Sequence, residues 1–346
     1  MRSKSFVTDL LRTGRFFVFA AMAVCSVTAC SSDDDGDGGD GGNGSSSFEV
    51  PKYEADAAKY VVNDADENME SIELTASGNY IVTLRDSQAG MPPATVKTPK
   101  TITIGGHKVP VPELMKSACV SEARTRHYSN IAYGKYTKTG PDSYNLAGFG
   151  TVTVTRDSQG RAMSLTIAVN GGAPKDVRVT QQNADINSAK SNMLCRTWTL
   201  NGYRAIQKIN GRTIIDFKGK TLRDIFNQLR DYAKAHDEEF DPSEWVFEES
   251  EYNVIGAKQF IFTKTGTYMV LYEDDQLAVS TWKWQNEAAG ILRYSWNPND
   301  FYDEWTSGEV YVRFLDNTCL LGDVEIDEED GFKYEMGLYY IMNEAK

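Results

Sequence analysis

Histidine is scarce in this 346-residue chain, which contains only His107, His127 and His236. None of them has a second histidine or a cysteine at the spacing of a zinc site, so a metal centre would need convergence over long distances. The G-x-S-x-G motif of serine hydrolases is also missing, and no cysteine after residue 100 has a histidine nearby at catalytic spacing. These absences predict a protein that is not an enzyme and that holds no cofactor.

Long apolar runs are lacking as well. The longest one, from Phe16 to Ala29, has about 14 residues, fewer than the roughly 20 that a membrane-spanning helix needs. No other stretch is continuously apolar enough to be a candidate. We therefore do not expect attachment to a membrane through a spanning helix.

Basic residues are outnumbered, with 36 Lys plus Arg against 49 Asp plus Glu. Residues 1–29 contain four of the basic groups and one of the acids, so the rest of the chain has 32 against 48 and a net charge of −16. A surface of this sign repels nucleic acid and anionic headgroups. Nucleic-acid binding is therefore disfavoured.

The start of the chain has the three parts of an export signal. Four basic residues precede an apolar run from Phe16 to Val27, and small residues up to Ala29 are followed by Cys30. This stretch resembles the lipobox of bacterial lipoproteins, which implies a signal peptide over 1–29 and a diacylglycerol plus an N-acyl group on Cys30. More than one lipid chain gives stable anchoring. The alternative is a soluble exported protein in which a cysteine follows the cleavage site by chance.

The residues after Cys30 extend this interpretation. Ser31-Ser32-Asp33-Asp34-Asp35 is similar to the export tag of surface lipoproteins of Gram-negative anaerobes, which implies an outer-membrane protein facing the cell exterior. The alternative is that these acids only open a solvated spacer. Residues up to Ser47 are almost all Gly, Asp, Asn and Ser, a composition typical of a flexible tether over 30–47.

About 300 further residues exceed what one small core usually holds, which favours two domains. The pattern predicts a mainly β fold (β-rich α+β) with a β-rich domain over 48–180, a linker or short helix over 181–193 and a β-domain over 194–346. In the first domain we expect a helix over Tyr53–Met69 and then a hairpin from Ile72 to Leu84. Short strands separated by turn residues follow, including the turn Asp157-Ser158-Gln159-Gly160.

The second domain begins with a strand that contains Trp198 and continues as a meander of short strands from Phe260 to Met342. An amphipathic helix is predicted over Thr221–Ala235, because its apolar residues recur at helical spacing, with a cap formed by Thr221 and Asp224.

A weak internal repeat relates the two domains. Residues 73–82 align with residues 261–270 and share Thr, Gly, Tyr and Val at matched offsets. Farther on, Tyr133-Gly134-Lys135-Tyr136 aligns with Thr281-Trp282-Lys283-Trp284. Two β-modules of related plan would explain both matches. Coincidence is the alternative, since a hairpin turn requires a glycine in any case.

The leading Trp198 strand, the Phe262-x-x-x-Gly266-x-Tyr268 hairpin and the Trp282 strand resemble the lipocalin-like domains of surface lipoproteins of the Bacteroidales type. The resemblance covers about residues 194–346 and implies an antiparallel meander or barrel that acts as a binding module. The segment from Lys208 to Ser250, which contains the predicted helix, departs from the compact barrel of that family.

Barrel closure would also bring the first strand and a late strand together. It would then place Cys195 beside Cys319, so we predict them as a candidate disulfide pair in an oxidising compartment, with Cys119 as the remaining thiol.

Acidic clusters offer a weaker prediction. The D-x-D-x-D-G pattern of 33–38 lacks the acid at the twelfth position of a calcium loop and has no flanking helices, so it is interpreted as spacer. The clusters 237–244 and 327–331 leave calcium binding open, although the second is typical of a hairpin turn closed by Asp-Gly.

Aromatic residues are the strongest candidates for a ligand site. Alternation along Ala278 to Gln285 puts two tryptophans on one face, and further aromatic residues crowd a Pro-, Asn- and Asp-rich connection. The candidate ligand-binding residues are Trp282, Trp284, Trp296, Tyr302 and Trp305. Indole faces with nearby acids suit a glycan fragment or an apolar molecule. Burial of these residues as core is the alternative. The predicted role is a non-catalytic binding module, and the main alternative is an interaction protein that docks onto an outer-membrane partner. A hydrolase is a third possibility, which would need a pair of carboxylates across an open cleft.

Overall fold

The protein is mainly β and consists of two β-modules. The computed structural model describes residues 48–64, 68–85, 101–104, 107–110, 131–182, 184–236, 257–272, 277–295, 300–302, 307–329 and 331–345. No helix in these ranges is long and apolar enough to span a lipid bilayer.

The first module is a closed antiparallel barrel of eight strands. Its strands are β1 (Ala58–Val62), β2 (Met69–Leu74), β3 (Asn79–Leu84), β6 (Ile131–Gly140), β7 (Ser143–Leu146), β8 (Gly150–Arg156), β9 (Ala162–Val169) and β10 (Lys175–Gln182). Each strand pairs with the next along the barrel, and β1 closes the barrel by pairing with β10. Two further strands, β4 (Thr101–Ile104) and β5 (His107–Pro110), pair only with each other within the described ranges.

The predicted hairpin of this module is confirmed by β2 and β3. Its turn contains Gly78 at φ +77°, a left-handed conformation that a residue with a Cβ rarely adopts. Side chains of alternate residues, among them Leu74, Tyr80 and Val82, point into the barrel and form its core. The predicted turn at 157–160 also forms, between β8 and β9.

The predicted helix over Tyr53–Met69 is wrong. The segment contains one 3-10 turn, Glu54–Asp56, followed by strand β1. Ala58, Tyr60 and Val62 are buried and alternate with less buried neighbours, which is the period of a strand. Pairing with β2 on one side and β10 on the other overrides the approximate helical spacing of the apolar residues.

The second module is a nine-stranded antiparallel sheet. Its strands are β11 (Thr197–Ile209), β12 (Arg212–Gly219), β13 (Ala257–Phe262), β14 (Thr267–Tyr272), β15 (Leu277–Asn286), β16 (Ile291–Ser295), β17 (Ser307–Leu315), β18 (Thr318–Glu329) and β19 (Phe332–Glu344). Strand β11 pairs with both β13 and β19, so that eight strands close into a ring and β12 remains outside it. The predicted meander is confirmed.

Two helices belong to the second module. Helix α1 (Ala189–Leu194) precedes β11 and forms in the segment predicted as a linker or short helix. Helix α2 (Leu222–His236) confirms the predicted amphipathic helix. Its cap is reciprocal, because the Thr221 backbone N–H donates to the Asp224 carboxylate at 2.8 Å and the Asp224 N–H donates to the Thr221 hydroxyl at 3.1 Å.

The internal repeat is visible in the hydrogen bonds of the two modules. In the β2–β3 hairpin the Asn79 N–H donates to the Thr75 hydroxyl at 3.0 Å. In the β13–β14 hairpin the Thr267 N–H donates to the Thr263 hydroxyl at the same distance, 3.0 Å. These are equivalent positions in the alignment of 73–82 with 261–270, so the two hairpins share one local construction.

The strand that follows each hairpin also makes an equivalent hydrogen bond in the two modules. The Tyr136 hydroxyl donates to the Thr75 carbonyl at 3.0 Å, and the Trp282 indole N–H donates to the Thr263 carbonyl at 3.1 Å. Tyr136 therefore corresponds to Trp282. The sequence alignment placed Tyr136 opposite Trp284, which is wrong by two residues, because only alternate residues of a strand share a face and several registers fit the same aromatic pattern.

The two hairpins face each other across the contact between the modules. Ile81 of β3 packs with Ile261 and Met269 of the second module. Beside this apolar cluster, the carboxylate of Glu73 is 2 % exposed and accepts a hydrogen bond from the Thr267 hydroxyl. The modules are therefore joined by packed side chains as well as by the chain itself.

Polar contacts across the modules are reciprocal. Lys59 Nζ donates to the Thr267 hydroxyl at 3.2 Å, and the Thr197 hydroxyl donates to Asn79 Oδ1 at 3.4 Å. Lys59 on β1 and Thr197 on β11 occupy equivalent positions in the two modules, and so do Asn79 on β3 and Thr267 on β14. The two modules thus use the same face to contact each other, as in an approximate two-fold dimer.

Candidate functional site

The five aromatic residues predicted as a ligand site do not form a single cluster among the residues that the structure describes. Trp296 and Trp305 lie outside those residues. Trp282 and Trp284 belong to β15, whereas Tyr302 belongs to the connection between β16 and β17.

Trp282 and Trp284 face the interior of the second module. Trp282 is 2 % exposed, and its indole N–H is satisfied by the Thr263 carbonyl. The Trp284 N–H donates to the Ser191 hydroxyl of helix α1 at 2.8 Å. The two rings are perpendicular with centroids 5.6 Å apart. Both indoles are therefore used in packing, which is the structural alternative that the sequence left open.

Tyr302 lies on the outer face, with 64 % of its surface exposed. The ammonium of Lys283 is 4.9 Å from the centre of its ring, and the guanidinium of Arg293 is 4.7 Å from it. Both contacts have the geometry of cation–π interactions. Since Lys283 stands between Trp282 and Trp284 on β15, strand alternation directs it to the opposite face from the two tryptophans.

The backbone around Tyr302 is held by three hydrogen bonds. The Tyr302 N–H donates to the Asp300 carboxylate at 2.8 Å, and Arg293 Nε donates to the Phe301 carbonyl at 2.5 Å. The Ser295 hydroxyl donates to the Asp300 carbonyl at 2.6 Å. The backbone that carries the exposed ring is thereby held in place, and the ring itself is positioned by its contacts with Lys283 and Arg293.

The connection that carries Tyr302 is specific to the second module. In the repeat, β16 and β17 correspond to β7 and β8, which are joined by residues 147–149 alone. The connection in the second module spans residues 296–306. The scaffold does not require this extra length, and long connections on a repeated scaffold commonly carry function.

The interior of the second module is occupied by its own side chains. Its core combines aromatic residues of the ring with the apolar face of helix α2, and these members include Trp198, Phe260, Phe262, Tyr268, Tyr272, Trp282, Ile225, Phe226 and Leu229. The apolar face of the inserted helix therefore belongs to the same core, and the helix packs against β11 and β12. Burial raises the pKa of Tyr268 well above its usual value, so this phenol stays protonated.

The surroundings of Tyr302 contain charges of both signs. Arg293 Nη1 forms an ion pair with Glu309 on the neighbouring strand at 2.5 Å. Lys283 also approaches the Phe301 ring, at 4.4 Å from its centre. Lys283 and Arg293 were not among the residues predicted from the sequence. Their positions on β15 and β16, each next to an inward aromatic residue, were the signal that could have identified them.

The predicted Cys195–Cys319 disulfide is wrong, because both residues are free, buried thiols. Cys195 is the C-cap of helix α1 and precedes β11 rather than lying on it. The register of the sheet places Leu200 and Met342 in the row of Cys319. Burial raises the pKa of both thiols well above the usual range, so neither is a reactive thiolate. Cys119 lies outside the described residues.

Other predicted features lie largely beyond what the structure describes. This applies to Cys30, to the tether, to the D-x-D-x-D-G stretch and to the acidic cluster 237–244. Within the ranges that are described, no group of three or more His, Cys, Asp or Glu side chains is placed to hold a metal ion. His236, the last residue of helix α2, stacks on Tyr232 with ring centres 4.1 Å apart.

The arrangement can therefore offer one exposed aromatic ring beside two cations on the outer face of the ring of strands. Neither a protein-family model nor a curated protein sequence matches this chain.

Proposed function

We propose that this is a lipid-anchored cell-surface protein that acts as a non-catalytic binding module, with a glycan fragment as its ligand. The site would lie on the outer face of the second module, around Tyr302. The observation that carries this proposal is the connection 296–306, which replaces a three-residue turn of the first module and presents an exposed ring.

The chemistry of the site supports a sugar. A ring that is 64 % exposed offers a flat apolar face, and such a face suits stacking against a pyranose. Lys283 and Asp300 lie beside it and bring a donor and an acceptor for hydroxyl groups. Trp296 and Trp305 belong to the same connection in sequence and lie outside the described residues.

The packed interior argues against the apolar molecule that the sequence also suggested. A ligand inside the second module would have to displace the apolar face of helix α2, including Ile225, Phe226 and Leu229. Burying three such side chains stabilises the fold by roughly 5–9 kcal/mol. The outer face is therefore the better supported location.

A second function is supported by the same filled interior. A module whose described interior is packed with its own side chains is suited to docking onto another protein, in this case an outer-membrane partner, with no small ligand. In that case Tyr302, Lys283 and Arg293 would be contacts in a protein interface, where aromatic residues and arginine are enriched.

Anchoring and family membership are part of the proposal. The lipobox-like stretch that ends at Cys30 supports the lipid anchor, and the Ser-Asp tag after it supports the cell surface. The up-and-down order of eight antiparallel strands, closed first to last in both modules, supports a lipocalin-like plan. The proposed lack of catalytic activity is supported only by the absence of catalytic motifs from the sequence.

Calorimetric titration of the chain from Phe48 onward with pooled oligosaccharides tests the site. We expect Tyr302→Ala to weaken binding about tenfold, equivalent to about 1.4 kcal/mol, because the stacking face is lost. Tyr302→Phe keeps the ring and serves as the matched control, with an affinity close to that of the unmodified chain. Binding that survives Tyr302→Ala would place the site elsewhere. A flat response of the folded protein to every pool would favour the partner-docking function.

A further inference from the structure

The described structure begins at Phe48, and this residue is attached to the second module rather than the first. Its ring is 5.5 Å from Trp198 and 5.8 Å from Phe314, measured between centres. The guanidinium of Arg196 lies 4.8 Å from the centre of the same ring. The chain therefore enters the folded body at one particular point on the second module.

The side chain of Arg196 holds the chain in position at this point. This side chain is almost completely buried, and Nη1 donates to the Glu49 carbonyl at 3.2 Å. The same nitrogen forms an ion pair with Glu344 near the end of the chain at 2.9 Å. The other guanidinium nitrogens donate to carbonyls at the end of helix α1, those of Met193 and Asn192. A buried cation with this many partners gives the entry point a defined position.

Strand direction gives the second module two unlike ends. Strand β11 starts at the entry point and consecutive strands around the ring alternate in direction. The end that contains Phe48, the turn at Asp316–Asn317 and the last residues of β19 is called the entry end here, and its 263–266 turn contacts the first module. Ile209, Ser295 and Ser307 lie at the opposite end, which is called the loop end here, and they are the residues at which the connections 210–256 and 296–306 leave or rejoin the ring.

The entry end also exposes apolar side chains. Val50 is 77 % exposed and Leu315 is 46 % exposed. Val50 follows Phe48 by two residues, and Leu315 is next to Phe314, whose ring contacts Phe48. Both therefore lie close to the point at which the chain leaves the folded body. Water-exposed apolar groups at such a point can transfer into a lipid interface.

The segment between Cys30 and Phe48 is short enough to keep the entry end close to a lipid surface. Residues 30–47 comprise eighteen residues whose composition predicts a coil, with an r.m.s. span of about 23 Å. The 13 residues of β11 run from one end of the ring to the other. Because barrel strands are tilted, the module is roughly 30 Å long along the axis of the ring. A lipid on Cys30 would thus hold the entry end near the bilayer, with the loop end about one module length farther out.

From this placement we infer that the entry end of the second module faces the bilayer and that Val50 and Leu315 contact lipid. The inference rests on the proposed anchoring at Cys30. Its consequence is that connection 296–306, with Tyr302, is presented to the surroundings of the cell rather than to its own membrane.

Energy transfer to labelled lipid tests this orientation. The full-length lipidated chain, carrying Cys119→Ser, is placed in phosphatidylcholine vesicles that contain a headgroup-linked acceptor. A donor dye is attached either at Asn317→Cys of the entry end or at Arg212→Cys of the loop end. Both are exposed residues at or beside turns, and the remaining thiols Cys195 and Cys319 are buried. We expect several-fold higher transfer efficiency from the entry-end position.

Two controls keep the outcomes distinct. Combined Val50→Ser and Leu315→Ser should lower the transfer from position 317, whereas Met163→Ser, an exposed apolar residue of the first module, should leave it unchanged. Equal transfer from both labels, or higher transfer from position 212, overturns the inference. Flotation of the vesicles reports anchoring separately. If the unmodified chain floats no better than Cys30→Ser, the proposed anchor fails and the orientation fails with it.

Discussion

The hydroxyl of Thr267 donates to Glu73 Oε2 at 2.6 Å and so connects the two modules through a buried carboxylate. The other oxygen of Glu73 accepts from the Thr265 hydroxyl in the same hairpin. Lys59, directly opposite Glu73 on β1, donates to Thr267 as well. An ionised group out of water is stable only when it is well paired, so this network requires that the modules keep a fixed arrangement.

Removal of the carboxylate should therefore weaken the whole chain. We expect Glu73→Ala to lower the free energy of unfolding by about 2–3 kcal/mol, because two hydrogen bonds to a charged group are lost. Urea unfolding followed by tryptophan fluorescence measures the change. If the modules become uncoupled, the single transition should split into two.

Glu70 provides a matched control, since it belongs to the same strand but is exposed. Glu70→Ala should leave the unfolding midpoint within error of the unmodified protein. If Glu73→Ala shifts the midpoint no more than Glu70→Ala does, the network contributes nothing measurable.

The equivalence of Tyr136 and Trp282 leads to a second prediction. Tyr136→Phe removes only the hydroxyl that donates to the Thr75 carbonyl and should lower stability by about 1–2 kcal/mol. Trp282→Phe removes the equivalent hydrogen bond and also leaves a small cavity, so we expect a loss of about 2–3 kcal/mol. Thermal unfolding of both variants gives the comparison. Equal stability of Tyr136→Phe and the unmodified chain would contradict the structural role assigned to this bond.

The two buried thiols give a third prediction. In the folded chain from Phe48 onward with Cys119→Ser, a thiol reagent at neutral pH should label neither Cys195 nor Cys319, because both side chains are buried. After unfolding in urea without reductant, both should react, and the labelled mass counts them. If the mass shows that no thiol reacts after unfolding, Cys195 and Cys319 form a disulfide after all.

A fourth prediction concerns acid. Hydrogen bonds from the backbone N–H and the guanidinium of Arg178 hold the pKa of Asp64 below its usual 3.8. The unfolded chain therefore binds a proton at higher pH than the folded chain does. The contribution of Asp64 is present above pH 3.8 and is lost as the pH falls through the lower pKa of the folded state.

Asp64→Asn should accordingly make stability less dependent on pH below about 4. Arg178→Ala should produce a smaller flattening, because the backbone N–H remains. The dependence of stability on pH is obtained from urea unfolding midpoints measured between about pH 2.5 and 5, roughly one unit on either side of the usual pKa of 3.8. If stability falls with decreasing pH in Asp64→Asn as it does in the unmodified protein, the Asp64–Arg178 pair does not stabilise the folded state.

Local signals predicted the hairpins and helix α2 well. The β2–β3 hairpin was identified from Ser77-Gly78-Asn79 between two alternating segments, and α2 from its apolar spacing and from Thr221 with Asp224. In both cases the information lies within a few residues of the element. Strand β1 was missed because its apolar residues also fit a helix, and only pairing with β10, more than 100 residues later, decides between them. Strand β12 was not predicted either, because it is mostly exposed and, among the described residues, pairs with β11 alone.

The candidate site was predicted only in part. Alternation correctly put Trp282 and Trp284 on one face of β15, but it gave no indication that this face is the interior. Tyr302 was identified from its place in a polar, aromatic connection, and it is exposed as a binding residue must be. Its neighbours Lys283 and Arg293 come from two different strands, so their approach to the ring depends on the register between β15 and β16.

By itself the sequence determined the β-rich class, the order of most strands and the position of α2, and it contains the motifs from which export and the anchor at Cys30 are proposed. The tertiary structure decided which face of each strand is buried, how both modules close and that Glu73 lies between them. The physical reason is that a period of two separates the faces of a strand without saying which one meets a core. That choice follows from contacts between residues far apart in the chain, such as Glu73 with Thr267, for which a local pattern carries no signal.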